Sequence, residues 1–203
     1  MKKKYIYLIL FAIVLIAAVL RLWQLGHVPP SPDWDEAALG YDAYSIIHTG
    51  RDEFGKFLPV VLRSFDDYKP ALYAYFAIPT VFIFGLNLFA VRLPSVIMGV
   101  IGVIATYFLV KELFSITSKT EDERSNSLLK GDFRSDIIAL LSAGLMAISP
   151  WSLQFSRVGF EANSGDTLNI LAALFFMKGL KKPRMLFLSA FFAGLDISQN
   201  PKQ

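Results

Sequence analysis

The sequence predicts an all-α fold: a multi-span helical membrane protein with amphipathic helices in a long first extracytoplasmic loop. Of its 203 residues, 54% are hydrophobic and only 18% are charged, which is too few charges for the surface of a soluble domain of this length. The uncharged runs Tyr5–Leu20, Leu93–Val110 and Ile137–Ser156 approach the roughly 20 residues that a helix needs to cross a bilayer core. Lys and Arg gather in alternate connecting segments, as is typical of cytoplasmic loops.

The first apolar run is interpreted as an uncleaved span. Lys2–Lys4 in front of it would also suit a signal peptide, but no A-x-A-like cleavage site follows the run. Arg21 and Trp23 follow instead, and such residues are typical of an interfacial anchor. Five spans are predicted, at about residues 5–25, 90–110, 137–156, 163–178 and 185–197, and the last two are the shortest.

The charges of the connecting segments orient the chain. Lys2–Lys4 place the amino terminus in the cytoplasm, so that loop 26–69 lies outside, loop 111–136 inside and segment 157–166 outside. The segments predicted inside carry more than twice as many Lys and Arg residues as those predicted outside. The chain is therefore predicted to be a multi-pass protein of the plasma membrane, with the bilayer as its surroundings.

Two helices are predicted in and beside the first outer loop. Glu36–His48 has one apolar face, with Asp35 as an acceptable N-cap and Gly50 at its end. The apolar segment Pro70–Phe84 is interpreted as a helix that lies at the outer surface or is half inserted. A span at that position would invert the topology of all that follows.

Composition excludes several kinds of site. The chain has no Cys, which excludes disulfides, thiolate catalysis and zinc–thiolate centres. Its two His residues, His27 and His48, lack the spacing of metal ligands. Basic and aromatic residues do not interleave as they do in nucleic-acid sites, so no nucleic-acid partner is expected.

The charged residues of the first outer loop are candidates for a site. Asp35 has two interpretations, a helix cap worth about 1 kcal/mol or a general base at the membrane surface. The adjacent Glu36 suits the first helical turn and faces elsewhere, because neighbours on a helix point in different directions. Lys69 is either an interfacial anchor or a point charge for a phosphate.

A second charged group follows the third span. Arg157 and Glu161 are spaced i, i+4, and they either pair with each other or join the acids and bases of the first loop at one outer surface. Acids and bases that gather in a cleft indicate a site. Arg21 and Arg92, at the ends of their spans, either join this cluster or serve as snorkelling or buried, paired residues.

The order of the motifs resembles a known enzyme family. After an apolar span come PDWDEAALGYDAYSIIHTG, DDYKPALYAYF, FGLNLFAVRLPS and SPWSLQFSRVGFEAN. This order resembles that of the polyprenyl-phosphate-dependent, GT-C type glycosyltransferases, and in particular the protein O-mannosyltransferase and aminoarabinose transferase group (glycosyltransferase family 39-like). The likeness covers about residues 5–183.

The resemblance implies an enzyme that moves a sugar from a polyprenyl-phosphate carrier to a hydroxyl of an extracytoplasmic protein, lipid or glycan acceptor. It implies Asp35 as the catalytic carboxylate beside Glu36, in loop 26–69. Lys69 is implied near the donor phosphate. Glu161, where the family often has Asp, is implied as a substrate-binding residue. Arg157 is predicted to bind substrate because the topology places it on the same outer face as Asp35 and Lys69. The resemblance implies the lipid-phosphate-linked sugar as the donor substrate and no definite cofactor, although carboxylate oxygens also suit a divalent metal.

Family members are longer, so residues 1–203 are expected to be the amino-terminal part of such an enzyme. The alternative is a transporter-like protein or a non-catalytic multi-span subunit, because acids in membrane proteins also mark transport pathways. Pathway acids would face a cavity near the membrane midplane, whereas the acids here follow the ends of predicted spans.

Overall fold

The computed structural model describes residues 3–64, 67–122 and 131–198, and over these ranges the chain is predominantly helical, as predicted. The elements in chain order are α1 (Lys3–Leu22), α2 (Trp34–Thr49), β1 (Val61–Ser64), β2 (Asp67–Pro70), α3 (Leu72–Phe84), α4 (Leu88–Asp122), α5 (Gly131–Ile148), α6 (Pro150–Ser156), α7 (Glu161–Gly179) and α8 (Arg184–Ile197).

Two helices are long and apolar enough to cross a membrane, namely α1 and the Leu88–Ser115 part of α4. A third span results if α5 and α6, which meet at a bend of 57°, are counted together as one broken span. The prediction of membrane-spanning helices is confirmed to this extent. Helices α7 and α8 cover the fourth and fifth predicted spans but are not among these helices, so those two spans stay predictions.

Helix α4 is the centre of the bundle, because α1, α3, α5 and α7 all pack against it. One buried core joins α1, α4 and α5, and it contains Ile6, Leu10, Ala17, Val103, Tyr107, Ala139, Leu140, Ala143 and Ala147. A second core joins α2, the hairpin, α3 and the start of α4, and it contains Leu39, Ala43, Leu62, Ala71, Tyr73, Ala74, Ala77, Val81, Ala90 and Val91. This second core attaches loop 26–69 to the helices and fixes where its charged residues lie.

Two glycines of α4 allow other helices to approach it closely. A Cβ atom at Gly99 would lie 2.6 Å from the Cβ of Ser156, and one at Gly102 would lie 3.0 Å from Oγ1 of Thr167. Small residues at such contacts bring helix backbones together. Helices α6 and α7 are thereby held against α4 on both sides of the turn that joins them.

Helix α2 begins earlier than predicted, and its cap is a different residue. It starts at Trp34, with Asp33 rather than Asp35 as the N-cap, and it ends at Gly50 in the left-handed conformation with φ of 69°. The backbone N–H of Asp33 donates to the Glu36 side chain at 3.1 Å, as in a capping box. The Asp35 side chain therefore lies within the first turn and is not needed as the cap.

The all-α prediction misses a short hairpin at the end of loop 26–69. Strands β1 and β2 pair in antiparallel register, with Leu62 opposite Lys69. Leu62 is buried in the second core, and the pairing carries Lys69 to the side of α2. Strands of four residues give a weak sequence signal, because they contain only two repeats of the two-residue alternation in side-chain direction.

The structure also describes two further predicted segments. Helix α3 occupies the segment predicted to lie at the outer surface and continues through Pro79. At the other end of the bundle, α4 and α5 extend into the predicted inner loop 111–136, where Lys111 pairs with Asp136 at 2.6 Å. Residues 123–130 of that loop lie outside the described residues. The sidedness of both segments stays a prediction.

Asp42 predicts a pH dependence of stability. Its buried carboxylate accepts the N–H of Glu53 at 3.0 Å. Burial, together with the charges of Glu53 and Asp52, raises the pKa of Asp42 from 3.8 to about 6. Because the folded-state pKa is raised, this group stabilises the fold fully only below its unfolded pKa, and that contribution is lost as the pH rises through about 6.

We therefore expect Asp42→Asn, which removes the charge, to be more stable than the unmodified chain at about pH 8, by up to about 3 kcal/mol. At about pH 4, where the Asp42 carboxyl is largely protonated in the folded chain, the two proteins should differ little in free energy of unfolding. Thermal unfolding in detergent at both pH values measures the difference. The same difference in stability at both pH values would contradict the raised pKa of Asp42.

Candidate functional site

Asp35 and Lys69, both singled out from the sequence, meet in an ion pair. Asp35 lies in the first turn of α2 and Lys69 lies on β2, and the second core holds these two elements together. Only 7% of the Lys69 side chain is exposed, compared with 31% of the Asp35 side chain. The carboxylate thus keeps a solvent-exposed edge, while its cationic partner is nearly buried.

Glu161 contributes a second carboxylate whose charge acts on Lys69. It is the first residue of α7, and its Oε2 atom is buried without a hydrogen-bond partner in the described ranges. Burial lowers the pKa of the Lys69 ammonium, and the charges of Glu161 and Asp33 oppose that shift. Asp35 and Lys69 are therefore in contact, and Glu161, from a third segment, lies near enough for its charge to act on Lys69.

Glu36 is fully engaged by other protein groups. Its carboxylate accepts two hydrogen bonds from the Arg92 guanidinium, at 2.8 and 2.9 Å, and one from the Gly159 N–H at 2.7 Å. Burial disfavours its charge, but the bonds from Arg92, Gly159 and Asp33 outweigh burial and hold the pKa of Glu36 below its ordinary value. The catalytic role predicted for Glu36 stays a prediction, and its geometry favours a supporting role.

Arg92 also bonds to backbone groups of other segments. Its remaining N–H groups donate to the carbonyl oxygens of Leu25 at 3.0 Å, Pro29 at 2.9 Å and Ser31 at 3.2 Å. The pair of Glu36 and Arg92 thus joins the start of α4, the segment after α1, the start of α2 and the turn between α6 and α7. The location of Arg92 agrees with the buried-pair interpretation of this residue.

Arg157 does not pair with Glu161 within the residues that the structure describes. Its guanidinium donates to the carbonyl oxygens of Trp23 at 2.7 Å, Val28 at 3.2 Å and Leu20 at 3.3 Å. These bonds hold the turn between α6 and α7 against the end of α1. A role for Arg157 in substrate binding stays a prediction.

Sequence reasoning missed a polar junction beside Glu161. The Asn163 amide donates to the Ser95 carbonyl at 2.7 Å and to Ser95 Oγ at 3.1 Å, and Ser95 Oγ donates to the Phe155 carbonyl at 3.1 Å. These bonds fix the first turn of α7 against α4. The only available signal was the position of Asn163 at the end of the FSRVGFEAN motif.

Arg21 does not join this group of charges. It is buried between α1 and the bend that separates α5 from α6, where its guanidinium donates to carbonyl and hydroxyl oxygens. Nor do the described residues contain any group of three or more His, Cys, Asp or Glu side chains arranged to hold a metal ion. A divalent metal at Glu161 therefore stays a prediction.

Comparisons of the chain with family models, with curated proteins and with solved structures found no match. The likeness to lipid-phosphate-dependent glycosyltransferases accordingly rests on the order of the sequence motifs.

Proposed function

We propose that the chain is a membrane glycosyltransferase that moves a sugar from a polyprenyl-phosphate carrier to an acceptor hydroxyl outside the cytoplasm. The observation that carries the proposal is the ion pair of a partly exposed Asp35 with a nearly buried Lys69. This pair offers the two charges that the reaction needs, a base for the hydroxyl and a cation for the leaving phosphate. The order of the motifs supports the same reaction.

Lys69 is the proposed binding group for the donor phosphate, as a point charge. The phosphate displaces Asp35 from Lys69, and the freed carboxylate turns to the acceptor hydroxyl. Asp35 takes the hydroxyl proton while the oxygen bonds to the anomeric carbon and the bond from that carbon to the phosphate oxygen breaks. Lys69 stabilises the negative charge that gathers on the leaving polyprenyl phosphate. Attack opposite the leaving group inverts the anomeric centre.

The other residues support this pair in the proposal. The unpartnered Oε2 of Glu161 is a hydrogen-bond acceptor for a hydroxyl of the sugar or of the acceptor. Glu36 and Arg157 position the segments that carry the reacting groups, since their bonds go to backbone groups and to Arg92.

The test is sugar transfer from labelled polyprenyl-phosphate sugars in membranes that contain the protein, expressed from its complete reading frame. Separating protein, lipid and polysaccharide products identifies the class of acceptor. Membranes without the protein are the control. Solute uptake into vesicles without any sugar transfer would instead support the transporter-like alternative.

Replacing Lys69 tests its electrostatic role. We expect Lys69→Gln to lower the transfer rate by about 100-fold, because the leaving phosphate loses a positioned cation. Lys69→Arg, which keeps the charge, should retain part of the rate. Lys56→Gln removes an exposed cation from the same loop and is the matched control. A Lys69→Gln variant that accumulates poorly yet transfers sugar at the normal rate per molecule would show that Lys69 is only an anchor.

A further inference from the structure

Arg21 is a buried cation without an acidic partner among the described residues. It lies in the last turn of α1 with 0% of its surface exposed. Its Nη1 donates to the Ala147 carbonyl at 3.1 Å, and its Nη2 donates to Ser152 Oγ at 2.8 Å and to the Met146 carbonyl at 3.5 Å. One further bond, at 3.2 Å, goes to Ala17 of its own helix. Most of its bonds therefore reach the bend between α5 and α6.

The bend leaves backbone carbonyls without helical partners. In a continuous helix the Met146 carbonyl would accept from the N–H of residue 150, but that residue is Pro150, which has none. Helix α5 also ends at Ile148, and the last carbonyls of a helix lack partners within it. Backbone groups without partners are strongly destabilising in an apolar environment. Arg21 supplies donors where the backbone supplies none.

The neighbouring helix leaves room for this guanidinium. A Cβ atom at Gly99 would lie 3.0 Å from Nε of Arg21 and 2.6 Å from the Cβ of Ser156. Nε itself is buried without a hydrogen-bond partner in the described ranges. The bonds that orient Arg21 therefore come from α1 and from the α5–α6 bend, and α4 contributes only space.

We infer that Arg21 is a positioning residue that fixes the α5–α6 bend and, through it, the turn that carries Glu161 and the Gly159 N–H to the candidate site. Helix α6 has only seven residues, so its direction at the bend decides where the turn after Ser156 lies. That turn donates from Gly159 to Glu36 at 2.7 Å and leads directly into Glu161. The catalytic consequence rests on the proposed function, whereas the fixing of the bend does not.

Spin-label distances test the fixing of the bend. The chain contains no Cys, so single cysteines can be introduced and labelled at the exposed Trp151 on α6 and the exposed Tyr44 on α2. We expect a narrow distance distribution with Arg21 present and a broader or displaced one in Arg21→Met. Arg21→Lys keeps a cation with three donors and should restore most of the original distribution.

A matched control separates positioning from general loss of stability. Leu10→Ala removes a buried side chain of α1 far from the bend, and it should destabilise the protein while leaving the distance distribution unchanged. If Arg21→Met gives no folded protein, Arg21→Gln provides the same comparison. Its amide is a hydrogen-bond donor, but the side chain is shorter than that of arginine and uncharged. An unchanged distribution in the Arg21 variant that folds would overturn the inference.

Sugar transfer supplies the second measurement. Misplacement by about 1 Å can lower a rate about 100-fold, so we expect a loss of that size per folded molecule in Arg21→Met and partial recovery in Arg21→Lys. If the distances change as expected but the unmodified protein transfers no sugar, the positioning of the bend stands and the proposed function fails. If transfer is normal in Arg21→Met, the bend does not position the reacting groups.

Discussion

Replacing Asp35 by asparagine is expected to lower the rate of sugar transfer by about 100- to 10,000-fold, because a positioned general base contributes that much. The amide has nearly the same size as the carboxylate but cannot accept the proton of the attacking hydroxyl. Asp35 is also the ion-pair partner of Lys69, and 31% of its side chain is exposed, so a substrate can reach it. Initial rates with a polyprenyl-phosphate sugar donor, per amount of folded protein, measure the effect.

A matched substitution shows whether this effect belongs to Asp35 or to the charge of the loop. Glu53→Gln removes one negative charge from the same loop at an exposed position, and it should retain the rate of the unmodified protein. Normal transfer by Asp35→Asn would exclude Asp35 as the base. Equal losses in both variants would point to the overall charge of the loop instead.

Replacing Arg92 by methionine is expected to have the largest effect on stability. It leaves the Glu36 carboxylate buried without its two bonds from the guanidinium, and removal of one partner of a buried pair typically costs about 3–5 kcal/mol. The loss should appear as a lower unfolding temperature in detergent and as poor accumulation in membranes. Arg63→Met removes an exposed arginine of loop 26–69 and is the control.

The double variant Glu36→Gln with Arg92→Met identifies the pair as the cause. It leaves no uncompensated buried charge and should be destabilised less than the sum of the two single variants. Additive losses would show that the two side chains act independently.

The same pair also predicts how the stability of the fold changes with pH. Because the folded-state pKa of Glu36 is lowered, its stabilisation is present above the ordinary pKa of 4.5 and lost as the pH falls through the folded value. The unmodified chain should therefore lose its advantage over Glu36→Gln only in acid.

Much of the architecture could be predicted from the sequence because it depends on local properties. The apolar runs of α1 and α4 alone indicate helices of membrane-spanning length, and the structure contains both. Gly50 ends α2 as predicted, because a left-handed residue is needed there. The β1–β2 hairpin was missed, because its stability comes from Leu62 in a core built by α2 and α3 rather than from its own four-residue strands.

The candidate site could be predicted only as a set of residues. Asp35 and Glu36 are adjacent acids in the sequence, and no pattern around them separates their roles. In the structure, Asp35 keeps an exposed edge beside Lys69, whereas Glu36 is buried against Arg92 and Gly159, which lie 56 and 123 residues further along the chain. Asp33, rather than Asp35, is the N-cap of α2, because the Glu36 side chain accepts a hydrogen bond from the backbone N–H of Asp33.

The sequence by itself determined the helical character of the chain, the presence of helices long and apolar enough to cross a membrane, and the types of charged residue between its apolar runs. These features depend on local properties, namely the hydropathy of each segment and hydrogen bonds between residues that are close in the sequence. Only the tertiary structure decided which charges meet: Asp35 with Lys69, Glu36 with Arg92, and Arg21 with the α5–α6 bend. The partner of a buried charge depends on how distant segments pack, because a buried polar group is stable only where packing delivers a complementary group to it.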